Sequence, residues 1–395
     1  MRYRYRFILI LLCFSVLSGC WDSNEPERLV FANGLGIDYK DGKVVIHLQI
    51  INMKGLAKSE SGGDPSSLNA ADIGSATGNS IDEALFNLYH TSDRRIYWGH
   101  LSFVIFSEEA IKAGNFKYTV DLLDRYRETR YRIYFYMTKN SVKDAMLISP
   151  IDNISMAFSK LSDPKGNYNQ SSFIPPINLR EILIELNEPA YYVSIPQLKI
   201  TEQWTGQKEK KKKDLLMENI AVISENKIKA ILPKKVMRGA RLVNKQFVRD
   251  EVTLFPGTKR NTSVVVYDKK TKITPIVEKN GKVRFHVKMK IKASVDMMKR
   301  DITRKEYEKE LMRSIKKEIK YTYQYTQKRG LDLFRLSKTL YREDIKTWKR
   351  IETGGRIPLD EDSIKSIKIE INLQDTGKQT LTPIFEGQND KSSKN

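Results

Sequence analysis

The chain has 395 residues and a formal charge of +21, with about 40% apolar and 10% aromatic side chains. That length supports two or three domains at roughly 100 to 200 residues each, and the composition excludes both wholesale disorder and a polytopic membrane protein. The two cysteines, Cys13 and Cys20, can build neither a disulfide framework nor a cysteine metal cluster.

At the N-terminus, Arg2, Arg4 and Arg6 precede an apolar run from Phe7 to Leu17, followed by the small residues Ser18 and Gly19. This is the order of a secretory signal. As a helix the run would measure about 16 Å, against about 30 Å for the hydrocarbon core of a bilayer, so it is too short for a stable span. Leu17-Ser18-Gly19-Cys20 resembles the lipobox of bacterial lipoproteins, which implies cleavage after residue 19 and a diacylglycerol thioether on Cys20. The three arginines would leave with the signal, lowering the net charge from +21 to +18, and no free thiol would remain. Two long acyl chains, at roughly 0.8 kcal/mol per buried methylene, make an effectively permanent anchor.

Asp41-Gly42 separates an extended stretch beginning near Phe31 from Val44–Ile51, which predicts a hairpin. Residues 54–80 are rich in Ser, Gly, Asp and Asn, and predict a mobile surface loop. Ser80 with Glu83 is the pattern of a capping box, opening a helix with Ile81, Ala84, Leu85 and Leu88 on one face. Leu101–Phe106 and Tyr131–Met137 read as strands, with a helix at Asp121–Arg127 between them. Beyond the irregular stretch from 140, a short amphipathic helix is expected at Asn178–Leu186. The run Lys208 to Lys213, broken only by Glu209, is the most linker-like segment and predicts a domain boundary.

Asn280-Gly281 turns into Val283, Phe285, Val287, Met289, Ile291, Ala293 and Val295, with a polar residue at each position between. This predicts a strand on the order of 44 Å long with one face buried. Residues 303–328 switch to helical spacing, placing Tyr307, Leu311, Ile315 and Ile319 on one stripe. Gly330 stops that helix, a second amphipathic segment runs from Leu331 to Trp348, and Ile367, Ile369, Ile371 and Leu373 form a last strand. The class expected is α+β and multidomain, with mixed antiparallel sheets, packed helices and about three domains. Its parts are a cleaved signal at 1–19, an N-terminal domain at 20–140, a middle domain at 141–215, a C-terminal domain at 216–387 and a disordered tail at 388–395.

Catalytic constellations were sought in turn. Gly34-Leu35-Gly36 is only a fragment of a dinucleotide fingerprint, because Tyr39 stands where its third glycine belongs. None of His47, His90, His100 and His286 falls in a zinc-binding pattern, and Gly99-His100-Leu101-Ser102 is not a nucleophile elbow. No catalytic, cofactor or metal residue is therefore assigned. Residues 299–350 hold 17 Lys or Arg against 8 Asp or Glu, with Tyr321, Tyr323, Tyr325 and Tyr341 interleaved. In a cytoplasmic protein this mixture would suggest nucleic acid. Behind a signal peptide it is either a face toward anionic lipid or a solvated helix surface.

Cys20-Trp21-Asp22-Ser23-Asn24-Glu25, followed by Gly34-Leu35-Gly36-Ile37-Asp38, resembles the start of the Ger(x)C family, the lipoprotein C subunits of nutrient germinant receptors in spore-forming Gram-positive bacteria. Gly99-His100, Asp124-Arg125-Tyr126-Arg127 ahead of Arg130, and the long alternating strand with its helices extend the resemblance to about residue 385. Pro26 departs from it, standing where the family carries an aliphatic residue. The resemblance implies three mixed α/β domains and a non-enzymatic, lipid-anchored subunit on the outer face of the spore inner membrane. It further implies that this subunit works with integral membrane A and B subunits to trigger germination; the signal peptide removes nucleic acid from the expected partners. The competing classes are an extracytoplasmic solute-binding lipoprotein and a cell-wall-acting lipoprotein.

Overall fold

The computed structural model describes residues 28–51, 71–151, 155–189, 192–206, 209–295 and 302–374. Asp41 and Gly42 both take positive φ, +50° and +76°, the mirror-image turn that matches strand twist. They join β1 (Leu29–Lys40) to β2 (Lys43–Ile51), antiparallel, with Lys40 opposite Lys43. β3 (Ala71–Gly78) then pairs antiparallel with β2. This corrects the part of the loop expected at 54–80 that falls on 71–78. The small side chains of Ala71–Gly78 carry little strand preference of their own, and the β2 edge supplies the pairing; residues 52–70 lie outside the described residues.

Ser80 caps α1 (Ile81–Tyr89) by accepting from the Glu83 N–H at 3.1 Å, and the four apolar residues expected on its face are buried. The return leg of the box falls one residue earlier than expected. Glu83 accepts from the backbone N–H and the side-chain amide of Asn79, at 2.8 and 2.9 Å.

Five further helices interleave with strands: α2 (Glu108–Lys112), α3 (Asn115–Arg125), α4 (Val142–Met146), α5 (Lys165–Gln170) and α6 (Leu179–Leu186). β4 (Arg95–Tyr97) and β5 (Phe103–Ser107) both run parallel to β1, and β6 (Tyr134–Thr138) runs parallel to β5. β7 (Val193–Thr205), β8 (Lys211–Ser224) and β9 (Lys227–Leu232) complete the sheet. Its order is β3-β2-β1-β5-β6-β7-β8-β9, with β4 against β1. Val104, Phe106, Phe135 and Met137 pack under α1, α2, α3 and α6. Phe103, Ile105, Tyr134 and Tyr136 pack on the other face against α4. Burial on both faces explains why these two strands read as continuous apolar runs.

The Gly34-x-Gly36 pair has a packing role. A Cβ at Gly34 would lie 2.2 Å from the Phe103 ring, and one at Gly36 would lie 2.5 Å from Val142 and 2.7 Å from Met146. The missing side chains admit the neighbouring ring and seat α4.

The boundaries expected at 140 and 215 do not coincide with breaks in this sheet. β6 pairs with β7 across the first, and β8 runs through the second. Lys211–Lys213, expected in a linker, open β8 in a hairpin with β7, where Lys211 and Lys212 pair with Thr205 and Trp204. An exposed two-stranded ribbon needs no apolar residues at its tip, so it shares the composition of a linker.

The second sheet follows α7 (Lys234–Val243) and comprises β10 (Asp250–Leu254), β11 (Thr262–Val277), β12 (Val283–Ser294) and β13 (Ile364–Gln374), in that order. β12 shows the expected alternation, burying Val283, Phe285, Val287, Met289, Ile291 and Ala293. Its outward lysines meet acids on neighbouring strands, Lys288 with Glu370 at 2.9 Å and Lys292 with Asp268 at 3.3 Å. β13 is parallel to β12, so a long crossover is required. It is made by α8 (Arg304–Gln327), α9 (Leu336–Glu343) and α10 (Ile345–Ile351). The single amphipathic segment expected at 331–348 is split at Asp344, which ends α9 and caps α10 through the Thr347 N–H. The class is α+β, as expected, but the sheets are not all antiparallel, because helical crossovers bring β4, β5, β6, β7 and β13 in parallel to their neighbours.

α7 and α8 cross at Gly239, where a Cβ would meet the Glu318 carbonyl oxygen at 2.4 Å and Ile319 Cα at 2.7 Å. Gly239 N–H donates to Thr322 Oγ1 (3.1 Å), whose hydroxyl donates to the Val236 carbonyl (2.6 Å). Beside this crossing Arg241, only 4% exposed, pairs with Asp250, lies 3.5 Å from Glu318 and stacks over Phe173. Burial pushes the Glu318 carboxyl above its ordinary range, and Arg241 and Arg238 only partly offset this. Asp250→Asn should cost about 3 kcal/mol in urea unfolding, because the guanidinium would stay buried with only the more distant Glu318 carboxylate to face it. Adding Arg241→Met should recover part of that loss; equal losses in the single and double variants would contradict this account.

Candidate interaction surfaces

Three of the four histidines are engaged within the fold, and His90 is exposed at the end of α1. His47 is buried with Nδ1 2.8 Å from Ser75 Oγ, and burial pushes its pKa down. His286 pairs with Ser366, and His100 lies edge-on to Phe31 at 5.1 Å. Among the described residues no group of three or more His, Cys, Asp or Glu is placed to hold a metal ion. A concavity of about 560 Å³ lies between Leu147–Ile151 and the Lys210–Lys213 hairpin. Its lining carries Asp144 and Ser149 beside the lysines, and Lys212 is held by the Ile151 carbonyl at 3.0 Å. Cys20, the one site residue expected from sequence, lies outside the described residues, as does the tail at 388–395.

The basic region resolves into two kinds of residue. On α8, Lys305, Lys309, Arg313, Lys316, Lys317 and Lys320 form a stripe opposite the buried Tyr307, Leu311, Ile315 and Ile319, as the 3.6-residue period requires. The helix starts at a complete capping box between Thr303 and Glu306. The Thr303 backbone N–H and Arg260 together hold the Glu306 carboxyl at about 2.

The interleaved tyrosines are engaged within the fold. Buried Tyr323 donates to the Asp360 carbonyl at 2.7 Å, and burial pushes its phenol to about 12. Lys235 lies over Tyr321 and Arg329 over Tyr325, while Tyr341 packs edge-on against Trp348 at 5.0 Å. These rings therefore form no open stacking platform of the kind single-stranded nucleic acid uses.

A charge cluster that the sequence did not reveal links the two sheets through their helices. Glu185 of α6 and nearby Glu188 face Arg335, Lys338 and Arg342 of α9 and its cap. Lys338 Nζ lies 3.4 Å from a carboxylate oxygen of each glutamate. About 150 residues separate the two halves, and no local pattern records such a pairing. Burial would raise Glu188, but Arg342 and Lys338 outweigh it and hold the carboxyl below its ordinary range. A lowered acid stabilises the fold above its unfolded pKa and loses that contribution as pH falls through the folded value. Thermal melts of the Glu188→Gln variant should show a loss of about 1 kcal/mol at neutral pH and low salt. The loss should shrink in high salt and fade as pH falls below the ordinary glutamate range and through the lowered folded value. A loss independent of both salt and pH would rule out an ionic role.

With this architecture established, comparison with known proteins places the chain in a family. Residues 22–200 match the model of the spore germination protein N-terminal domain, and residues 218–377 match the spore germination B3/GerAC-like C-terminal model. The chain belongs to this family of spore germination proteins. The gap between the two models falls in the β7–β8 hairpin region, near the boundary expected at 215.

Spore germination protein KC of Bacillus subtilis (strain 168) is 28% identical over 94% of this chain and 95% of its own length. Spore germination protein B3 of the same organism is 25% identical over 72% of this chain and 71% of its own. The fold resembles the crystal structure of the GerBC protein, with a TM-score of 0.50 at 17% identity, covering 90% of this chain and 99% of that one.

Proposed function

We propose that this chain is the lipid-anchored, non-catalytic C-type subunit of a nutrient germinant receptor. In this reading it is held by Cys20 on the outer face of the spore inner membrane and acts with integral membrane A and B subunits in receptor assembly and in triggering germination. The observation that carries the reading is the order of the N-terminus. A short apolar signal and Leu17-Ser18-Gly19-Cys20 stand directly ahead of residue 22, where the family match begins. Among the described residues no helix is long and apolar enough to cross a membrane, so on this reading attachment is assigned to the acyl chains. The non-catalytic role rests on the resemblance and on the structural engagement of His47, His100 and His286. The outward stripe of α8 adds attraction to anionic headgroups wherever it lies within a Debye length of them, about 8 Å at physiological salt.

Cys20→Ala should leave an unprocessed, unacylated precursor, read by mass spectrometry of the N-terminus and by membrane fractionation. Normal processing and membrane retention of that variant would refute the anchor. Calorimetry of residues 21–395 with candidate nutrients should give no saturable binding. Saturable binding would favour the solute-capture class, and release of peptidoglycan fragments by the same preparation would favour the cell-wall class.

A further inference from the structure

β1, β4, β5 and β6 run parallel, so the segments leading into them gather at one end of the large sheet. Leu29 pairs with Arg95 and Phe31 with Tyr97, Ser102 N–H donates to the Asn33 carbonyl at 2.8 Å, and Tyr134 N–H donates to the Ser102 carbonyl at 2.8 Å. Glu128 stitches the third segment to the second, accepting from Arg95 at 2.5 Å and from the Trp98 N–H at 3.0 Å. The segments 28–31, 92–102 and 126–133 carry six arginines against two carboxylates, Asp93 and Glu128. Arg28, Arg94, Arg95, Arg127, Arg130 and Arg132 are all exposed, and between the last two Tyr131 stands 55% exposed.

We infer that this arginine- and tyrosine-bearing end is the surface that rests on the bilayer, its occupant being the phosphate layer of anionic lipid headgroups. The inference rests on the anchored reading above and adds to it which face meets the membrane. Two independent observations carry it. Cys20 is only nine residues from Leu29, so the extended chain spans at most about 30 Å, and this end of the sheet can never be far from the anchor. The chemistry also fits. Guanidinium forks bind phosphate oxygens two at a time, and tyrosine settles at the level of the headgroups. The α8 stripe, by contrast, is mostly lysine and starts nearly 300 residues along the chain from Cys20.

The test uses the mature chain with Cys20→Ser, so that only surface contact is read, and vesicles of phosphatidylcholine with or without phosphatidylglycerol. The parent should co-sediment with the anionic vesicles alone. Combined Arg127→Glu, Arg130→Glu and Arg132→Glu should lower partitioning at least roughly tenfold, and the corresponding Gln substitutions, checked for native circular dichroism, should lower it less but measurably. Lys309→Glu, Lys316→Glu and Lys320→Glu on α8 should have the smaller effect.

Parent-like partitioning of the arginine variants, or a larger loss from the α8 variants, would overturn the inference. So would binding to native membranes but not to pure lipid, which would assign this face to a protein partner. Failure of the anchored reading is recognised separately, by an unmodified Cys20 thiol in the native protein.

Discussion

The two sheets depend on one close helix crossing. α7 follows the last strand of the large sheet and α8 roofs the small one, and at Gly239 the helices approach until the backbone of one touches that of the other. A glycine inside a helix costs about 1 kcal/mol of intrinsic preference relative to alanine, and here it allows a contact that any side chain would prevent. Thr322 satisfies the geometry from the α8 side by accepting the Gly239 N–H and donating to the Val236 carbonyl. The neighbouring cluster of Val236, Met237, Ile220, Val222, Leu232 and Leu331 is apolar. Arg241 and Asp250 are buried at its margin, with Glu318 half-buried beside them. Such charges contribute little net stability, yet they fix the register of the surfaces they join, since any other register would strand one of them.

Much of the small sheet was legible in the sequence because its signals are local and redundant. β12 alternates without a break, α8 carries both a capping box and a clean stripe, and Asn280-Gly281 encodes the turn into β12. The large sheet was less legible. β5 and β6 are buried on both faces, so their sequences lack a period, and their parallel pairing is made across intervening helices, which no local pattern records. β3 has almost no strand preference of its own. Lys208–Lys213 carries the composition of a linker because composition reports solvent exposure and not whether a backbone is hydrogen-bonded. The linker expected at 208–213 rested on that composition, whereas Lys211–Lys213 lie in β8, where Lys211 and Lys212 pair with β7.

The surfaces divide in the same way. Charge excess over 299–350 was visible from composition, and the α8 stripe follows from its period. The internal use of Tyr321, Tyr323, Tyr325 and Tyr341 was not visible, because a tyrosine flanked by lysines reads alike whether its ring stacks on Lys235 or on a base. The Glu185, Glu188, Arg335, Lys338 and Arg342 cluster was hidden by distance in the chain. Only one trace of it was present, the spacing of three and four residues that puts the three cations on one side of α9.

An anchor changes what a surface patch must achieve. A free protein needs several kcal/mol of favourable contact to stay on a bilayer at cellular concentrations, whereas one tethered through nine residues meets that bilayer at an effective concentration in the millimolar range. Contacts too weak to recruit the protein are then strong enough to orient it, and screening over about 8 Å restricts the effect to whichever face lies closest. On the anchored reading, the division of labour follows from chain position. Arginines next to the tether set the orientation, and the lysine stripe on α8 is left to whichever acidic surface the assembled complex presents to it.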